Sequence, residues 1–330
     1  MKYHIITYGC QMNECDSERM AGKLEKKGYK ETDIIEKADL IIINACSVRQ
    51  SAINRINSKI KKINNQKRKI KLILTGCLLE KDKERLKSQV DKIWPIIEFN
   101  NIQKHKNDKK AFIPIMNGCN NFCSYCVVPY TRGREISRPA KDIIKEIKCL
   151  IKKGYEEIML LGQNVNSYND DKINFPKLLE IICKISGDFK IKFMTSHPKD
   201  MSDELIDVIA KNEKISREIH LPVQSGSNSI LKKMNRNYNI KHYKGLIRKI
   251  YKKIPNAKIS TDIIVGFPGE TKKQFQDTVN LIKEIKFYKA YIASYSPRPQ
   301  TSASKLKDTI SSFEKKQRKK ILLNLLNAIN

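Results

Sequence analysis

The sequence lacks any apolar run long enough to cross a membrane, and its first residues lack the basic and then apolar pattern of a secretory signal. We therefore expect a cytoplasmic protein whose nine cysteines are mostly reduced. Acidic residues are also scarce: 35 Asp+Glu stand against 65 Lys+Arg, a net charge of +30. Such a surplus favours a nucleic-acid partner. Scattered lysines in a chain rich in Ile and Asn also fit the codon usage of an AT-rich genome.

The densest cysteine cluster has no fourth member. Residues 118–126 read GCNNFCSYC, which places Cys119, Cys123 and Cys126 in a CxxxCxxC pattern. A structural zinc site takes four ligands, and no further Cys or His lies nearby in the sequence. A disulfide framework takes an even number of cysteines. The cluster therefore needs a partner that takes three thiolates.

Strand-like and amphipathic segments alternate along the first part of the chain, as in an α/β fold with a parallel sheet. Three strand-like runs end in a cysteine: HIITYGC at Cys10, DLIIINACSV at Cys46 and KLILTGC at Cys77. The carboxyl ends of parallel strands share one sheet edge, where ligands bind. We therefore expect these three thiols to form a second site, in preference to three ordinary buried cysteines.

A lysine-rich segment at 104–110 separates this part from six further strand–helix units, so we predict domains at 1–107 and 108–330. Six units fall short of the eight in a closed (β/α) barrel and predict an open, partial barrel. We expect one long helix over 228–255 within it. The predicted fold class is α/β: an N-terminal open parallel-sheet, Rossmann-like domain followed by a partial (β/α)6 barrel.

A 4Fe-4S cluster explains a three-cysteine motif. Three thiolates hold three of its four irons and leave the fourth open to chelate a small molecule. The spacing differs from the ferredoxin run, which supplies a fourth cysteine before a proline. Here Cys126 is followed by VVPYTRGR.

Nine ordered sequence blocks extend this pattern, and together they resemble the radical S-adenosylmethionine methylthiotransferases. Within that family they are most similar to the tRNA 2-methylthio-N6-isopentenyladenosine synthase branch. The resemblance runs from residue 2 to about 330. The blocks are GCQMNE (9–14), NACSVR (44–49), TGC (75–77), GCNNFCSYCVVPYTRGREISRP (118–139), LLGQNV (160–165), TSHP (195–198), HLPVQSGS (220–227), DIIVGFPGET (262–271) and YSPRP (295–299).

The resemblance implies two 4Fe-4S clusters and S-adenosylmethionine as cofactors. The radical cluster would be held by Cys119, Cys123 and Cys126, and its open iron would bind the cofactor. One-electron cleavage would then yield a radical that removes hydrogen from C2 of the target adenine. An auxiliary cluster would be held by Cys10, Cys46 and Cys77 and would carry the sulfur, which a second S-adenosylmethionine methylates. The two domains would then be the methylthiotransferase domain and the radical SAM core.

The resemblance also implies a cofactor pocket at the strand ends of the barrel. Its predicted residues are Tyr125, Gly162, Gln163, Gln224, Ser225 and Asp262.

Other polar residues have two open interpretations. The three arginines after the cluster loop are candidates for phosphate contacts with RNA or, equally, for salt bridges or solvated side chains: Arg132, Arg134 and Arg138. His197 is favoured as a substrate or cofactor contact over a structural hydrogen bond, and the glycines of GFPGE are turn residues.

The family resemblance predicts methylthiolation of isopentenylated adenosine 37 (tRNA numbering) in the anticodon loop. Alternatives are action on threonylcarbamoyl-adenosine or on a ribosomal-protein aspartate, and a non-catalytic RNA-binding remnant. We further expect an electron donor of unknown identity, a monomer, and no C-terminal TRAM domain of the kind that family members use to grip tRNA.

Overall fold

The computed structural model describes residues 1–48, 50–66, 68, 70–96 and 103–329. Its first unit is a five-stranded parallel sheet with strand order β2-β1-β3-β4-β5. The two outer strands have only two residues each and were not predicted from the sequence. The strands are β1 (Lys2–Thr7), β2 (Lys30–Glu31), β3 (Leu40–Cys46), β4 (Lys71–Cys77) and β5 (Lys92–Ile93).

Both faces of this sheet are covered by helices, which explains its long apolar strands. One face packs against α2 (Gln50–Asn64), whose buried Ile53, Ile56, Ile60 and Ile63 recur at helical spacing. The other face packs against α1 (Gln11–Lys26). A short helix, α3 (Glu80–Lys87), follows β4.

The second unit contains six parallel strands in two groups of three, with orders β10-β9-β6 and β11-β12-β13. A single parallel bridge between Ile191 and Ile215 links the groups. This arrangement confirms the predicted partial barrel. Its strands are β6 (Lys110–Pro114), β9 (Glu157–Leu161), β10 (Lys190–Phe193), β11 (Glu218–His220), β12 (Lys258–Val265) and β13 (Lys289–Ser294).

A two-stranded antiparallel ribbon, which the sequence did not predict, flanks the cysteine-rich loop. It pairs β7 (Met116–Asn117) with β8 (Ile136–Ser137). The loop between these strands is therefore closed at its base.

The barrel helices follow their predicted strands with one correction. The single long helix expected over 228–255 is two helices, and the chain between them contains Asn235 at φ +53. Among the described residues no helix is long and apolar enough to cross a membrane. The helices are α4 (Val128–Thr131), α5 (Ala140–Lys152), α6 (Phe175–Cys183), α7 (Asp203–Lys211), α8 (Asn228–Lys233), α9 (Ile240–Lys253), α10 (Lys272–Ile285) and α11 (Ser312–Ile329).

Helix α1 of the first unit packs on the inner side of the barrel wall. Strand residues such as Ile113 and Leu160 point outward into the core beneath the barrel helices. Their neighbours point the other way because side chains alternate along a strand. Met159 and Leu161 there contact Met12 and Cys15 of α1. The sheet unit therefore covers one side of the open barrel and brings its cysteine edge towards the cysteine-rich loop.

Candidate active site

Three strand ends gather the cysteines of the first unit at one sheet edge. Cys46 and Cys77 are the last residues of β3 and β4 and lie opposite each other in the strand register. Cys10 is the N-cap of α1, three residues beyond the end of β1, which pairs with β3. The predicted convergence of these three thiols is confirmed, because the parallel pairing places all three carboxyl ends together. We call this set the N-terminal trio.

Two buried asparagines support the N-terminal trio. The Asn13 Nδ2 donates to Asn44 Oδ1 and to the Ala45 carbonyl, each at 3.1 Å, and its Oδ1 lies 3.5 Å from Cys10 Sγ. The Asn44 Nδ2 donates in return to the Asn13 carbonyl at 2.7 Å. Since both side chains are fully buried, the pair fixes the start of α1 against the end of β3.

Three further cysteines, Cys119, Cys123 and Cys126, lie on the loop between β7 and β8, ahead of the short helix α4, and we call them the barrel trio. The Cys126 amide donates to the Cys123 carbonyl at 2.9 Å, and the Cys119 amide donates to the Gly133 carbonyl at 3.2 Å. The Ser124 amide donates to the Met234 carbonyl, which anchors the loop to the end of α8. The loop is thus held at several points along its backbone.

A glycine with positive φ precedes three of the six cysteines. Gly9, Gly76 and Gly118 have φ values of +134, +101 and +79, and a Cβ would lie 2.4 Å or less from a neighbouring atom at each. At Gly118 that atom is the Arg134 carbonyl oxygen, at 2.0 Å. Only glycine fits such positions, so these glycines set the direction in which the following cysteine leaves the backbone.

The thiols of each trio influence one another. Burial raises the pKa of Cys77 to about 12, and Cys46 and Cys10 act in the same direction. Burial likewise raises the pKa of Cys126 to about 12, with a further contribution from Cys123. A thiol must lose its proton to bind a metal. Cys77 and Cys126 therefore favour the thiolate form only when a bound metal compensates the negative charge of the sulfur.

The trios are not arranged around single ions. Within the part of the chain that the structure describes, no three His, Cys, Asp or Glu side chains form a group that could hold one metal ion. A 4Fe-4S cluster places its thiolate ligands at separate corners and so requires a wider spacing than one ion does. Three soft ligands per site, close enough to interact, fit such a cluster.

Arg132 connects the two trios. It follows α4, six residues after Cys126, yet its Nε donates to Cys77 Sγ at 2.9 Å. Its Nη2 donates to Asp16 Oδ2 of α1 at 2.6 Å, and its Nη1 to Asn117 Oδ1 at 3.0 Å. The loop of the barrel trio therefore supplies a buried cation to the N-terminal trio.

Arg236 occupies a similar place at the barrel trio. Its Nη1 donates to Cys123 Sγ at 3.3 Å and its Nη2 to the Pro222 carbonyl at 2.9 Å. Its Nε donates to the Tyr238 hydroxyl at 3.0 Å. Each trio thus has one buried arginine in contact with one of its cysteine sulfurs.

A second buried arginine of the barrel reaches the sheet unit. The Nη2 of Arg298 donates to Asp82 Oδ2 at 2.5 Å, and its Nη1 donates to the Gln50 amide oxygen. The Ser47 hydroxyl donates to the same Asp82 oxygen at 3.0 Å. Since Ser47 directly follows Cys46, this network fixes the N-terminal trio to the end of the barrel.

The predicted cofactor residues Gly162 and Gln163 lie directly after β9 and contact the start of the cysteine loop. Gln163 Oε1 accepts a hydrogen bond from the Gly118 amide at 2.5 Å. A Cβ on Gly162 would lie 2.4 Å from Met116 Cγ, so the close approach requires glycine. Gly162 and Gln163 therefore hold the start of the loop that carries the barrel trio.

The other predicted cofactor residues lie around the second group of strands. Gln224, at φ +69, donates its backbone amide to the Asp262 carbonyl at 2.8 Å, and its carbonyl accepts from the Ile264 amide at 2.9 Å on β12. Ser225 is fully buried and its hydroxyl accepts from the Ser227 amide at 3.2 Å, as expected of a turn residue. Asp262 is half exposed and lies 3.4 Å from His220 Nε2. Tyr125 packs against the small buried cluster that includes Ile230 and Met234.

Of the open interpretations of the three arginines, the salt bridge is the one that the structure shows for two. Arg132 is buried among protein ligands, and the Arg138 Nη1 pairs with Glu146 at 2.5 Å. Their charges are neutralised inside the protein, so they are not available to RNA. Arg134 is exposed, with its guanidinium 4.3 Å from the centre of the Phe122 ring, and remains a candidate.

His197 makes a structural hydrogen bond through one ring nitrogen. Its Nδ1 accepts from the Lys199 amide at 3.2 Å, and its ring packs edge-on against Tyr238. Burial lowers the pKa of His197 to about 2, with Arg236 acting in the same direction. The imidazole is therefore neutral and caps the turn that follows β10. The turn assignments of Gly266 and Gly269 are confirmed by φ values of +68 and +74.

The remaining three cysteines take no part in either trio. Cys15 is fully buried in the contact between α1 and the barrel wall, as predicted for a packing residue. Cys149 is exposed, and Cys183 is half-buried beside the barrel core.

Several supporting residues were missed in the sequence. Asn13 and Asn44 lie within the blocks GCQMNE and NACSVR, so their position beside a cysteine could have singled them out. Arg298 lies in YSPRP, but its partner Asp82 is 216 residues away. Arg236 lies outside every block, and only the fold reveals its contact with Cys123.

Two protein families match the chain. Residues 113–282 match the radical SAM superfamily, and residues 2–98 match the family described as "Uncharacterized protein family UPF0004". The tRNA-2-methylthio-N(6)-dimethylallyladenosine synthase of Clostridium novyi is 44% identical over 99% of this chain and 81% of its own length. The enzyme of the same name from Thermoanaerobacter pseudethanolicus is 44% identical over 99% of this chain and 78% of its own length.

Solved structures agree with the fold at low sequence identity. The radical S-adenosylmethionine methyltransferase TsrM from Kitasatospora setae, with cobalamin and a [4Fe-4S] cluster bound, has a TM-score of 0.64 and 13% identity. The match covers 92% of this chain and 77% of that one. The cobalamin-dependent radical enzyme OxsB has a TM-score of 0.58 and 10% identity, covering 99% of this chain and 56% of its own. Both similarities concern the fold alone.

Proposed function

Since the chain belongs to the radical SAM superfamily and, within it, to the family of tRNA-2-methylthio-N(6)-dimethylallyladenosine synthases, we propose that it transfers a methylthio group to C2 of N6-isopentenyladenosine in tRNA. The observation that carries this proposal is the presence of two three-thiol sites joined by one arginine. A radical enzyme of general type needs one such site, whereas sulfur insertion needs a second.

The cofactors of this family are S-adenosylmethionine and 4Fe-4S clusters. The barrel trio would hold the radical cluster, and the N-terminal trio would hold the auxiliary cluster. When bound, these groups supply the one-electron cleavage, the hydrogen-abstracting radical and the sulfur that the reaction requires. Three protein ligands at each site leave one iron free for exchangeable chemistry.

The chain's own residues direct this chemistry by position. Gln163 fixes the backbone of Gly118, and Gly118 sets the direction of Cys119. The proposed S-adenosylmethionine site lies along the strand ends next to this loop and includes Tyr125, Gly162, Gln163, Gln224, Ser225 and Asp262. Ser124 and Tyr125 hold the loop against α8, which would limit the access of water to the reacting groups.

The proposed substrate base is an adenosine of the anticodon loop, which an enzyme can draw out of its stack more easily than a paired base. The surplus of 30 positive charges supports binding to the phosphate backbone. We expect tRNA affinity to fall steeply with salt, because each neutralised phosphate releases counterions. The proposal further includes an electron donor of unknown identity, a monomeric state and the domain boundary between residues 107 and 108.

The test is the tRNA product. The chain is expressed in a bacterium that lacks its own methylthiotransferase, and tRNA nucleosides are analysed by mass spectrometry. We expect the 2-methylthio form of isopentenyladenosine, and none in cells that express Cys46→Ala. Unchanged isopentenyladenosine with a chain carrying about eight irons would refute the substrate assignment. A 2-methylthio form of threonylcarbamoyl-adenosine would instead support the sister activity.

A further inference from the structure

Arg132 stands out because its three donor groups all end on protein acceptors from different parts of the chain. Nε meets Cys77 of the sheet edge, Nη2 meets Asp16 of α1, and Nη1 meets Asn117 at the base of its own loop. The side chain is 3% exposed and that of Asp16 is 4% exposed. The guanidinium is therefore held in one orientation, from which it cannot turn away from Cys77.

The contact with Cys77 differs from the other two. A neutral thiol is a weak acceptor, so a buried cation gains little from it. A thiolate that binds iron is a far better acceptor, and hydrogen bonds to ligand sulfurs are among the factors that set cluster potentials. Arg236 has the same arrangement at Cys123, with its other donors also satisfied. The repetition at both trios indicates a function towards bound clusters.

The origin of the two arginines differs. Arg236 belongs to the same unit as Cys123, while Arg132 lies in the barrel unit and contacts a cysteine of the sheet unit. We propose that Arg132 is a positioning residue of the auxiliary site. Through this residue the loop of the barrel trio supplies a hydrogen bond to the N-terminal trio, which slows the loss of iron from the bound cluster and raises its reduction potential. This inference rests on the proposed assignment of an auxiliary cluster to the N-terminal trio.

A consequence is that the sheet unit cannot complete its site without the barrel. The same short loop carries the third ligand of the barrel trio, Cys126, and the arginine of the other trio. Displacement of this loop would remove a cation from beside Cys77. A cation near a cluster stabilises its reduced, more negative state, so its loss lowers the reduction potential.

The test uses the full chain in a background where Cys119, Cys123 and Cys126 are all replaced by alanine. Only the N-terminal trio can then hold iron. After anaerobic reconstitution, three quantities are measured: iron and sulfide per chain, the rate of iron loss to a chelator, and the reduction potential from a titration followed by electron paramagnetic resonance. Two variants are added separately, Arg132→Met and Arg132→Lys.

We expect Arg132→Met to lose iron about 10–100-fold faster than the background protein, the usual cost of removing an outer partner of a metal ligand. Its potential should shift to more negative values. Arg132→Lys keeps a charge beside Asp16, so it should fold, but one ammonium cannot reproduce the planar three-way contact. It should shift the potential in the same direction by a smaller amount.

Arg138→Met is the matched control, since Arg138 lies on the same segment and pairs with Glu146 instead of a thiol. It should leave both the rate and the potential unchanged. In the background without the barrel trio, Arg236→Met should also leave the rate of iron loss and the reduction potential unchanged. In a second background, in which Cys10, Cys46 and Cys77 are replaced by alanine instead, Arg236→Met should lower the reduction potential of the remaining cluster. An unchanged rate and potential in both Arg132 variants would overturn the inference. Absence of iron from the background protein itself would instead overturn the auxiliary-cluster assignment.

Discussion

The two thiol trios each consist of three cysteines, but the fold assembles them in different ways. The barrel trio lies within nine residues of sequence, and its arginine, its loop anchors and its supporting glutamine all belong to the barrel. The N-terminal trio is assembled from three strand ends, and two arginines of the other unit reach it: Arg132 at Cys77 and Arg298 at the network beside Cys46. A local motif therefore makes one site, and tertiary contacts make the other.

This difference predicts that the two trios respond to substitutions in different parts of the chain. A site contained in one loop responds to changes in that loop's backbone. A site assembled across two units responds also to changes at their interface. The following variants separate these two dependences.

Loss of a ligand should have the largest effect. Cys123→Ala should abolish both cleavage of S-adenosylmethionine and methylthiolation, because the barrel trio is left with two ligands. Cys46→Ala should stop methylthiolation and spare the cleavage. Both reactions are measured by chromatography of the products formed by the reconstituted protein. Methylthiolation that survived in Cys46→Ala would contradict the assignment of the N-terminal trio.

A change in loop backbone should come next. Gly118 and Gly133 have the same φ of +79, but a Cβ would meet the Arg134 carbonyl oxygen at 2.0 Å at the first position and nothing within 4 Å at the second. Gly133→Ala should cost about 1–2 kcal/mol of backbone strain. Gly118→Ala should cost more and should halve the iron content, because the direction of Cys119 changes. Urea unfolding and iron analysis measure both effects. Equal iron content in the two variants would show that the close contact has no role in forming the site.

Breaking the interface ion pair should destabilise the docked units. Asp82→Asn leaves the Arg298 guanidinium, which is 1% exposed, without its carboxylate. We expect a loss of about 3–5 kcal/mol in the free energy of unfolding, the usual cost of leaving a buried charge unpaired. Glu80→Gln on the same helix breaks the exposed pair with Lys83 and should cost less than about 1 kcal/mol. Similar losses in the two variants would contradict a buried interface pair.

Thiol reactivity in the metal-free chain should show the smallest effect. Cys10 and Cys149 are exposed and should be alkylated first, whereas Cys15, Cys77 and Cys126 should react last, since burial raises the pKa of each of these thiols. Mass spectrometry of peptides after timed labelling at pH 8 gives the order. Early labelling of Cys77 would mean that the N-terminal trio opens without its metal.

The same pKa shifts give a pH dependence with a definite sign. A thiol whose pKa is higher in the folded chain than in the unfolded chain stabilises the fold at low pH, where both states are protonated. That contribution is lost as pH rises from about 9 towards 12, because the unfolded state releases its proton first. The metal-free chain should therefore lose stability over this range, as measured by unfolding at fixed urea concentration.

The sequence by itself determined the fold class, the two sets of three cysteines and the edge at which the N-terminal trio forms. CxxxCxxC is a local pattern, and strand ends followed by cysteine are visible because hydrophobic strands and glycine-containing turns are local as well. Even the glycines that direct the cysteines are part of the pairs Gly9–Cys10, Gly76–Cys77 and Gly118–Cys119.

Only the tertiary structure decided which arginines face the sulfurs and which could face RNA. Arg132, Arg134 and Arg138 are equivalent in sequence, yet one binds Cys77, one is exposed and one pairs with Glu146. The partners of Arg132 lie 55 and 116 residues away, and that of Arg298 lies 216 residues away. Burial makes such long-range contacts strong, because a desolvated charge must find a partner, but sequence separation gives no indication of which partner the fold will bring.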